Sequence, residues 1–219
     1  MRASQRSSNI RVEDHTGNPA ILSLKERKSR AVRESIWNVA MDLFSAKGYD
    51  ETTIEDIARA AGISLRSFFR YFNSKGDLMA YALLLYGNEL VAAIDACAPG
   101  ASVREVFRQS IARIAQQGLA VEARTRKHLD VLRRSQAAAA AEMSRLPEVQ
   151  TLVAKAYERR LPDGPERELA ARAIAGVSLH LTGIAVRWCL EHRECDLAGT
   201  MDRALAGLEA LFCRGARSK

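Results

Sequence analysis

Residues 52–78 read TTIEDIARAAGISLRSFFRYFNSKGDL, two short helical periods separated by a break. Ile54, Ile57, Ala58 and Ala61 fall on one face of a first helix, Gly62-Ile63-Ser64 interrupts the pattern, and Leu65 to Phe72 restarts it. Thr52 or Thr53 supplies the N-cap, with Glu55 or Asp56 three residues on to close a capping box. Gly62 stands where the first helix must stop and the backbone reverse, a position that favours positive φ. Ser64 is then placed to cap the second helix. The stretch is a helix, a tight turn and a helix.

In the second helix Phe68 and Phe72, four apart, face the core with Ile57 and Ile63, which leaves aromatic, basic and hydroxyl side chains on the other side. Such a mixture suits DNA: arginine takes a guanine edge or a phosphate, an aromatic ring packs on a thymine methyl, and hydroxyls bond phosphate oxygens. The expected base readers are Leu65, Arg66, Ser67 and Phe69, and the expected phosphate contacts are Thr53, Ser64, Arg70, Tyr71 and Lys75. Leu65 cannot hydrogen-bond a base edge, so it reads a thymine methyl or reads nothing.

Gly48-Tyr49, Thr52-Thr53-Ile54, Ile57-Ala58, Ala61-Gly62-Ile63-Ser64, Phe69-Arg70-Tyr71-Phe72, Ser74-Lys75 and Leu78 together resemble the DNA-binding signature of the tetracycline-repressor (TetR) family of bacterial transcription regulators. The resemblance covers residues 27–78, about a quarter of the chain. It implies an all-α protein of about nine helices: an arm at 1–24, a three-helix DNA-binding domain at 25–75, and a ligand-binding and dimerisation domain at 76–219. It also implies a fourth helix that transmits a ligand's effect, and a small molecule that shifts the spacing of two DNA readers.

The chain of 219 residues carries a formal net charge of +7, which favours a polyanionic partner without identifying one. Its hydrophobic share of 47% and its 5 prolines describe a helix-rich globular protein. Cys97, Cys189, Cys195 and Cys213 show no paired framework, no signal peptide precedes them, and no apolar run approaches a membrane span, so a reduced cytoplasm is the expected setting. The arm carries Arg2, Arg6 and Arg11, which either reach a minor groove or remain a solvated tail.

From residue 25 to 47 Ile36, Ala40, Leu43 and Phe44 make a helical stripe, opened by the cations Lys25, Arg27, Lys28, Arg30 and Arg33. A long helix is expected over 77–97, another over 103–119, and another from 122. The alanines of 137–141 either extend that last helix to about 145 or form a linker. A further helix is expected from Pro147 to about Arg160, ended by Leu161-Pro162-Asp163-Gly164-Pro165.

Between residues 166 and 192, Ala170, Ile174, Val177, Leu181, Ile184 and Trp188 alternate at four and three, and Gly176 and Gly183 lie seven apart. With the closing helix this predicts a four-helix interface with a second copy, formed by Gly176, Gly183, Met201, Leu205, Leu208 and Phe212. The competing reading is that both faces are consumed within one subunit. For the effector pocket that the family resemblance implies, the expected residues are Phe107, Ile111, His128, Leu132, Tyr157, His180, Ile184 and Trp188, each also an ordinary core position. His128, amid Arg124, Arg126 and Lys127, either holds an anionic head group or belongs to a solvated basic face.

Cys189, His192 and Cys195 lack a fourth ligand, so no metal site and no cofactor are expected. The sequence has no phosphate loop, no Ser/His/Asp order and no HExxH helix, which disfavours an enzyme. The leading reading is therefore a homodimeric regulator binding a palindromic double-stranded DNA operator and released by a small-molecule effector. The alternative is an architectural DNA-binding protein without one.

Overall fold

The computed structural model describes residues 23–118, 122–192 and 196–214. Among them are eleven helices and no strand: α1 Leu24–Lys47, α2 Ile54–Ala60, α3 Leu65–Tyr71, α4 Lys75–Met79, α5 Tyr81–Asp95, α6 Val103–Gly118, α7 Glu122–Arg134, α8 Gln136–Met143, α9 Leu146–Glu158, α10 Arg167–Glu191 and α11 Leu197–Arg214. The expected helix over 77–97 is divided at Ala80, whose N–H reaches both Gly76 O and Leu78 O in a tight turn. The alanine run is neither an extension of α7 nor a linker. It forms its own helix, α8, because the Ser135 hydroxyl accepts the N–H of Ala138 and starts a new one. The expected arm, with Arg2, Arg6 and Arg11, falls outside the described residues except for its last two positions.

The chain divides into two compact units, residues 1–83 with 127–145, and residues 84–126 with 146–219. The first is larger than the stretch 25–75 that the sequence marks out. Its core is built on α1, where Ile36, Trp37, Ala40, Met41 and Phe44 are buried at the spacing of one helical face. Ile57 and Ala58 of α2, which packs on α1, are buried with it, as are Phe68 of α3, which packs on α2, and Leu78 and Met79 of α4, which packs on α8. The aromatic side chains meet edge-on, Phe44 against Tyr49 at 4.9 Å and Phe72 against Tyr81 at 5.5 Å between centroids.

Residues 127–145 are fastened to the same unit by polar contacts. Lys127 pairs with Asp42, Arg145 with Asp77, and Ser135 Oγ donates to Asp50 Oδ2 at 3.1 Å. Inside this segment His128 Nε2 lies 2.6 Å from Glu142 Oε2, and the His128 ring packs 5.7 Å from that of Trp37. Both partners are largely buried, with 8% and 15% of their side chains exposed, so the carboxylate that faces His128 is an internal one.

In the second unit α9 and α10 form the principal helix pair, flanked by α6 and α11. Gly87 of α5 is required by close approach: a Cβ there would stand 2.5 Å from Cγ1 of Val149 on α9. A buried chain of hydroxyls ties four helices together. Tyr86 donates to Thr182 Oγ1 at 2.6 Å, and the Tyr157 hydroxyl lies 3.0 Å from Ser178 Oγ and 3.4 Å from Ser110 Oγ. Burial pushes the Tyr157 phenol above its ordinary pKa, and the hydrogen bonds from Ser110 and Ser178 act the other way. Arg160 ends α5 by donating to the carbonyls of Ile94, Asp95 and Cys97 at 2.9, 2.8 and 3.1 Å.

One sequence expectation changes here. Cys97 is a free buried thiol, but Cys189 is disulfide-bonded, so the cysteines are not uniformly unpaired. His192 stacks on Trp188 at 4.0 Å between centroids, and Cys195 lies outside the described residues. One 18-residue window of the 25-residue α10 reaches a mean hydropathy of 1.5, enough by length and composition to cross a membrane, a test that the core helix of a soluble protein also passes.

Candidate nucleic-acid interface

Short-range chemistry fixes the geometry of the helix-turn-helix. Thr53, not Thr52, caps α2: its hydroxyl accepts Asp56 N–H at 3.1 Å and the Asp56 carboxylate accepts Thr53 N–H at 3.2 Å. Asp56 also accepts a hydrogen bond from Lys47 at the end of α1. That bond, with the Thr53 contacts, holds its carboxyl well below the usual carboxylate range. Thr52 is buried and donates to Gly48 O at 2.6 Å. The turn itself depends on Gly62 at φ +67°, with Gly62 N–H on Arg59 O at 3.1 Å and Ile63 N–H on Ala58 O at 2.9 Å. A Cβ at Gly62 would touch nothing, so the glycine serves its backbone angle and not a close contact.

Ser64 begins α3 by accepting Ser67 N–H at 3.1 Å, and its hydroxyl lies 3.1 Å from that of Ser67. Along α3, Phe68 is fully buried while its neighbour Phe69 is 51% exposed and Leu65 40% exposed. Arg66 and Arg70 are exposed, and Ser67 and Tyr71 are half-buried. Arg70 reaches the Tyr71 hydroxyl at 3.0 Å, so these two expected phosphate contacts are held as one unit. Thr53 is exposed at the start of α2.

Lys75 is placed differently from a free surface cation. Its ammonium donates to the carbonyls of Tyr49, Thr52 and Asp50 at 2.7, 3.1 and 3.3 Å and stands 4.3 Å over the Tyr49 ring. It therefore ties α4 to the turn that precedes α2. Burial, with Asp50 alongside, raises the Tyr49 phenol above its ordinary pKa.

The eight residues expected around an effector do not form one set. Phe107, Ile111 and Tyr157 are buried in the second unit. His128 and Leu132 belong to the first, where His128 faces the Glu142 carboxylate. His180, Ile184 and Trp188 lie on the outer face of α10, with Ile184 55% and Trp188 50% exposed. They are corrected to surface positions: the residues of α10 that turn inward are Ala171, Ala175, Ser178, Leu179, Leu181, Thr182 and Ala185. Val177, 45% exposed, and Leu169, 69% exposed, continue the outer stripe. A Cβ at Gly176 would meet nothing, and at Gly183 only an arginine tip at 3.7 Å, so no packing within the subunit demands either glycine. Of the other expected interface residues, Met201 is buried within the subunit and Leu205 half-buried, while the side chains of Leu208 and Phe212 are outside the described set.

A helix-turn-helix whose second helix presents an aromatic ring, a leucine and two arginines outward, within an all-α fold, has the form of a DNA-binding domain. Residues 36–82 match the family described as bacterial regulatory proteins, tetR family. The chain is 36% identical over 72 residues to the HTH-type transcriptional regulator TcmR of Streptomyces glaucescens, covering 33% of this chain and 32% of TcmR. It is 43% identical over 47 residues, 22% of this chain, to IcaR of Staphylococcus aureus, a negative regulator of the biofilm operon icaADBC, and covers 25% of IcaR. The chain thus spans about a third or less of these relatives' length. Among solved structures, a TetR-family regulator of Syntrophomonas wolfei is similar over 83% of this chain and 95% of its own, with a TM-score of 0.57 at 18% identity. NalD of Pseudomonas aeruginosa, the secondary repressor of the MexAB-OprM multidrug efflux pump, is similar over 84% of this chain and 96% of its own, with a TM-score of 0.56 at 21% identity. Residues 36–82 thus carry the DNA-binding domain of the TetR family, and the relatives that match there are by name transcriptional regulators.

Proposed function

We propose that this protein is a cytoplasmic, ligand-responsive repressor that binds a palindromic operator as a homodimer. The observation that carries the reading is the contrast on α3 between buried Phe68 and exposed Phe69, with Leu65, Arg66 and Arg70 on the solvent side. Phe69 meets the Phe68 ring edge-on at 5.6 Å yet leaves half its surface in water, and an exposed aromatic between arginines matches what a major groove offers: guanine edges, thymine methyls and phosphates. Leu65, Arg66, Ser67 and Phe69 read bases. Thr53, Ser64, Arg70 and Tyr71 hold the backbone.

Dimerisation follows from both ends of the chain. One short α3 reads only a few base pairs, so a two-fold pair of readers supplies the missing affinity. The stripe of Val177, Ile184 and Trp188 on α10, with Gly176 and Gly183 between them, is the surface a second copy covers. IcaR and NalD are by name a negative regulator and a repressor, which supports the same sign here. The effector, if it behaves as in the family, binds in the second unit near Phe107, Ile111 and Tyr157, and favours the DNA-incompetent conformation by ~1–3 kcal/mol.

The test is selection of bound duplexes from a random pool, followed by footprinting. The expected result is one two-fold-symmetric sequence with half-sites about one helical turn apart. Arg66→Ala and Phe69→Ala should each weaken that preference by ~1–3 kcal/mol at a base position without changing the helical circular-dichroism signal. Selection that returns no common sequence would overturn the reading in favour of a non-specific architectural protein.

A further inference from the structure

The segment 127–145 lies outside the helix-turn-helix in sequence yet belongs to the same compact unit. It changes that unit's charge. Residues 23–83 carry ten Lys and Arg against eight Asp and Glu, while residues 127–145 add four against two. Two of those four cations are spent on acids of residues 23–83, Lys127 on Asp42 of α1 and Arg145 on Asp77 of α4. The other two, Arg133 and Arg134, share one carboxylate, Asp130, at 2.9 and 2.8 Å. Two guanidinium groups on one acid leave a positive charge uncompensated, and their side chains are 79% and 62% exposed.

The position of this charge is fixed by the residue that follows. Ser135 caps α8 and at the same time donates to Asp50 Oδ2 at 3.1 Å. The backbone carbonyl of Asp50 is held by Lys75, and Asp50 lies three residues before Thr53, the exposed N-cap of α2. The pair Arg133–Arg134 is therefore anchored beside the turn that leads into the first helix of the DNA-binding motif. Hydrogen bonding to Ser135 also engages the Asp50 carboxylate.

We propose that the corner between α7 and α8, carrying Arg133 and Arg134, is a second contact with the DNA backbone, made by residues remote in sequence from the helix-turn-helix. The proposal rests on the reading of α3 as the DNA reader. Because the contact is to phosphates, it adds affinity to any duplex and carries no sequence preference. Arginine suits the role, since its planar fork bonds phosphate oxygens in pairs and keeps its charge at every physiological pH.

The experiment measures binding of the full chain to a fluorescein-labelled 30-base-pair duplex of random sequence, by anisotropy, across 50–200 mM KCl. Arg133→Ala with Arg134→Ala should reduce the slope of log affinity against log salt by about 1–2 per protomer and weaken binding roughly eightfold per contact at 0.1 M salt. Asp130→Asn, which releases both guanidinium groups from their carboxylate, should strengthen binding and steepen the slope; a merely structural pair would give the opposite or no effect. Arg172→Ala removes an exposed arginine of the second unit and should leave the slope unchanged. Wild-type slope and affinity in the double variant, with its thermal midpoint retained, would overturn the proposal while leaving α3 as the reader. Absence of duplex binding by the wild-type chain would overturn both.

Discussion

Replacing Lys75 by methionine separates two roles that a lysine at the start of α4 can have. A phosphate contact is made only in the complex, whereas a tie to carbonyls acts in the free protein. The structure puts the ammonium on three carbonyls, and two of these, of Tyr49 and Thr52, belong to residues only 7% and 1% exposed. A hydrogen bond from a charged donor contributes about 1.5–3 kcal/mol, and the position over the Tyr49 ring adds ~0.5–1. The three bonds share one ammonium and Lys75 is only half-buried, so a sum over three would overcount. A loss of about 2–3 kcal/mol is the expected size. For a unit this small that is a fall in the thermal midpoint of roughly 8–20 °C. Hydrogen exchange should localise the loosening to the amides of Ile54–Ala60, because Lys75 holds the turn from which α2 departs. DNA affinity should fall with it, but the salt slope should change by much less than one per protomer. A Lys75→Met protein with wild-type thermal midpoint and a slope lower by about one would refute the reasoning and return Lys75 to the phosphates.

Gly87→Ala should destabilise the second unit by ~1–3 kcal/mol in chemical denaturation, since its Cβ would stand 2.5 Å from Val149 Cγ1; Val149→Ala in the same chain should recover part of the loss. Asp56 has a folded pKa held below its unfolded value of 3.8, chiefly by the hydrogen bond from Lys47. The stability it contributes is therefore present above that value and lost as pH falls below it, and an acid-unfolding titration of Asp56→Asn should lack that limb. Ile184→Asp or Trp188→Asp, which put a charge on the outer stripe of α10, should give a monomer in sedimentation equilibrium with an unchanged helical signal.

The helix-turn-helix was legible because its determinants are local. A cap and its box partner are three residues apart, Phe68 and Phe72 are one helical turn apart, and Gly62 acts through its own backbone angle. Sequence left Thr52 and Thr53 equivalent as caps, and only packing separates them, since Thr52 is drawn inward to Gly48 O. The non-local arrangements were not legible. Nothing in the periodicity of 127–145 announces that Lys127, Ser135 and Arg145 engage Asp42, Asp50 and Asp77, or that His128 meets a glutamate on the next helix. Lys75 illustrates the same limit, because a lysine after a serine at a helix start looks like a surface cation until the carbonyls around it are known.

The misreading of α10 has a geometric origin. Its apolar residues recur at four and three, and a seam drawn at that spacing keeps step with a partner only if the helix is slightly underwound. A straight helix of 3.6 residues per turn drifts across the seam by about 20° per heptad. Leu181 stands at the edge of this stripe nearest the inward residues Ser178 and Ala185 and is buried, while Val177, Ile184 and Trp188 are exposed. The inner face already has partners, the hydroxyls of Ser178 and Thr182 facing Tyr157 and Tyr86. The outer face, with half of Trp188 in water and glycines that no neighbour requires, has none within the subunit among the described residues. On the proposed function, the inner face of α10 lies toward the effector and the outer face toward a second copy, so a ligand that moves one would move the other. Disulfide-locking two copies across Val177→Cys should accordingly abolish any effector's influence on DNA affinity. Undiminished release of DNA from the locked dimer would mean that the signal leaves the second unit by another helix.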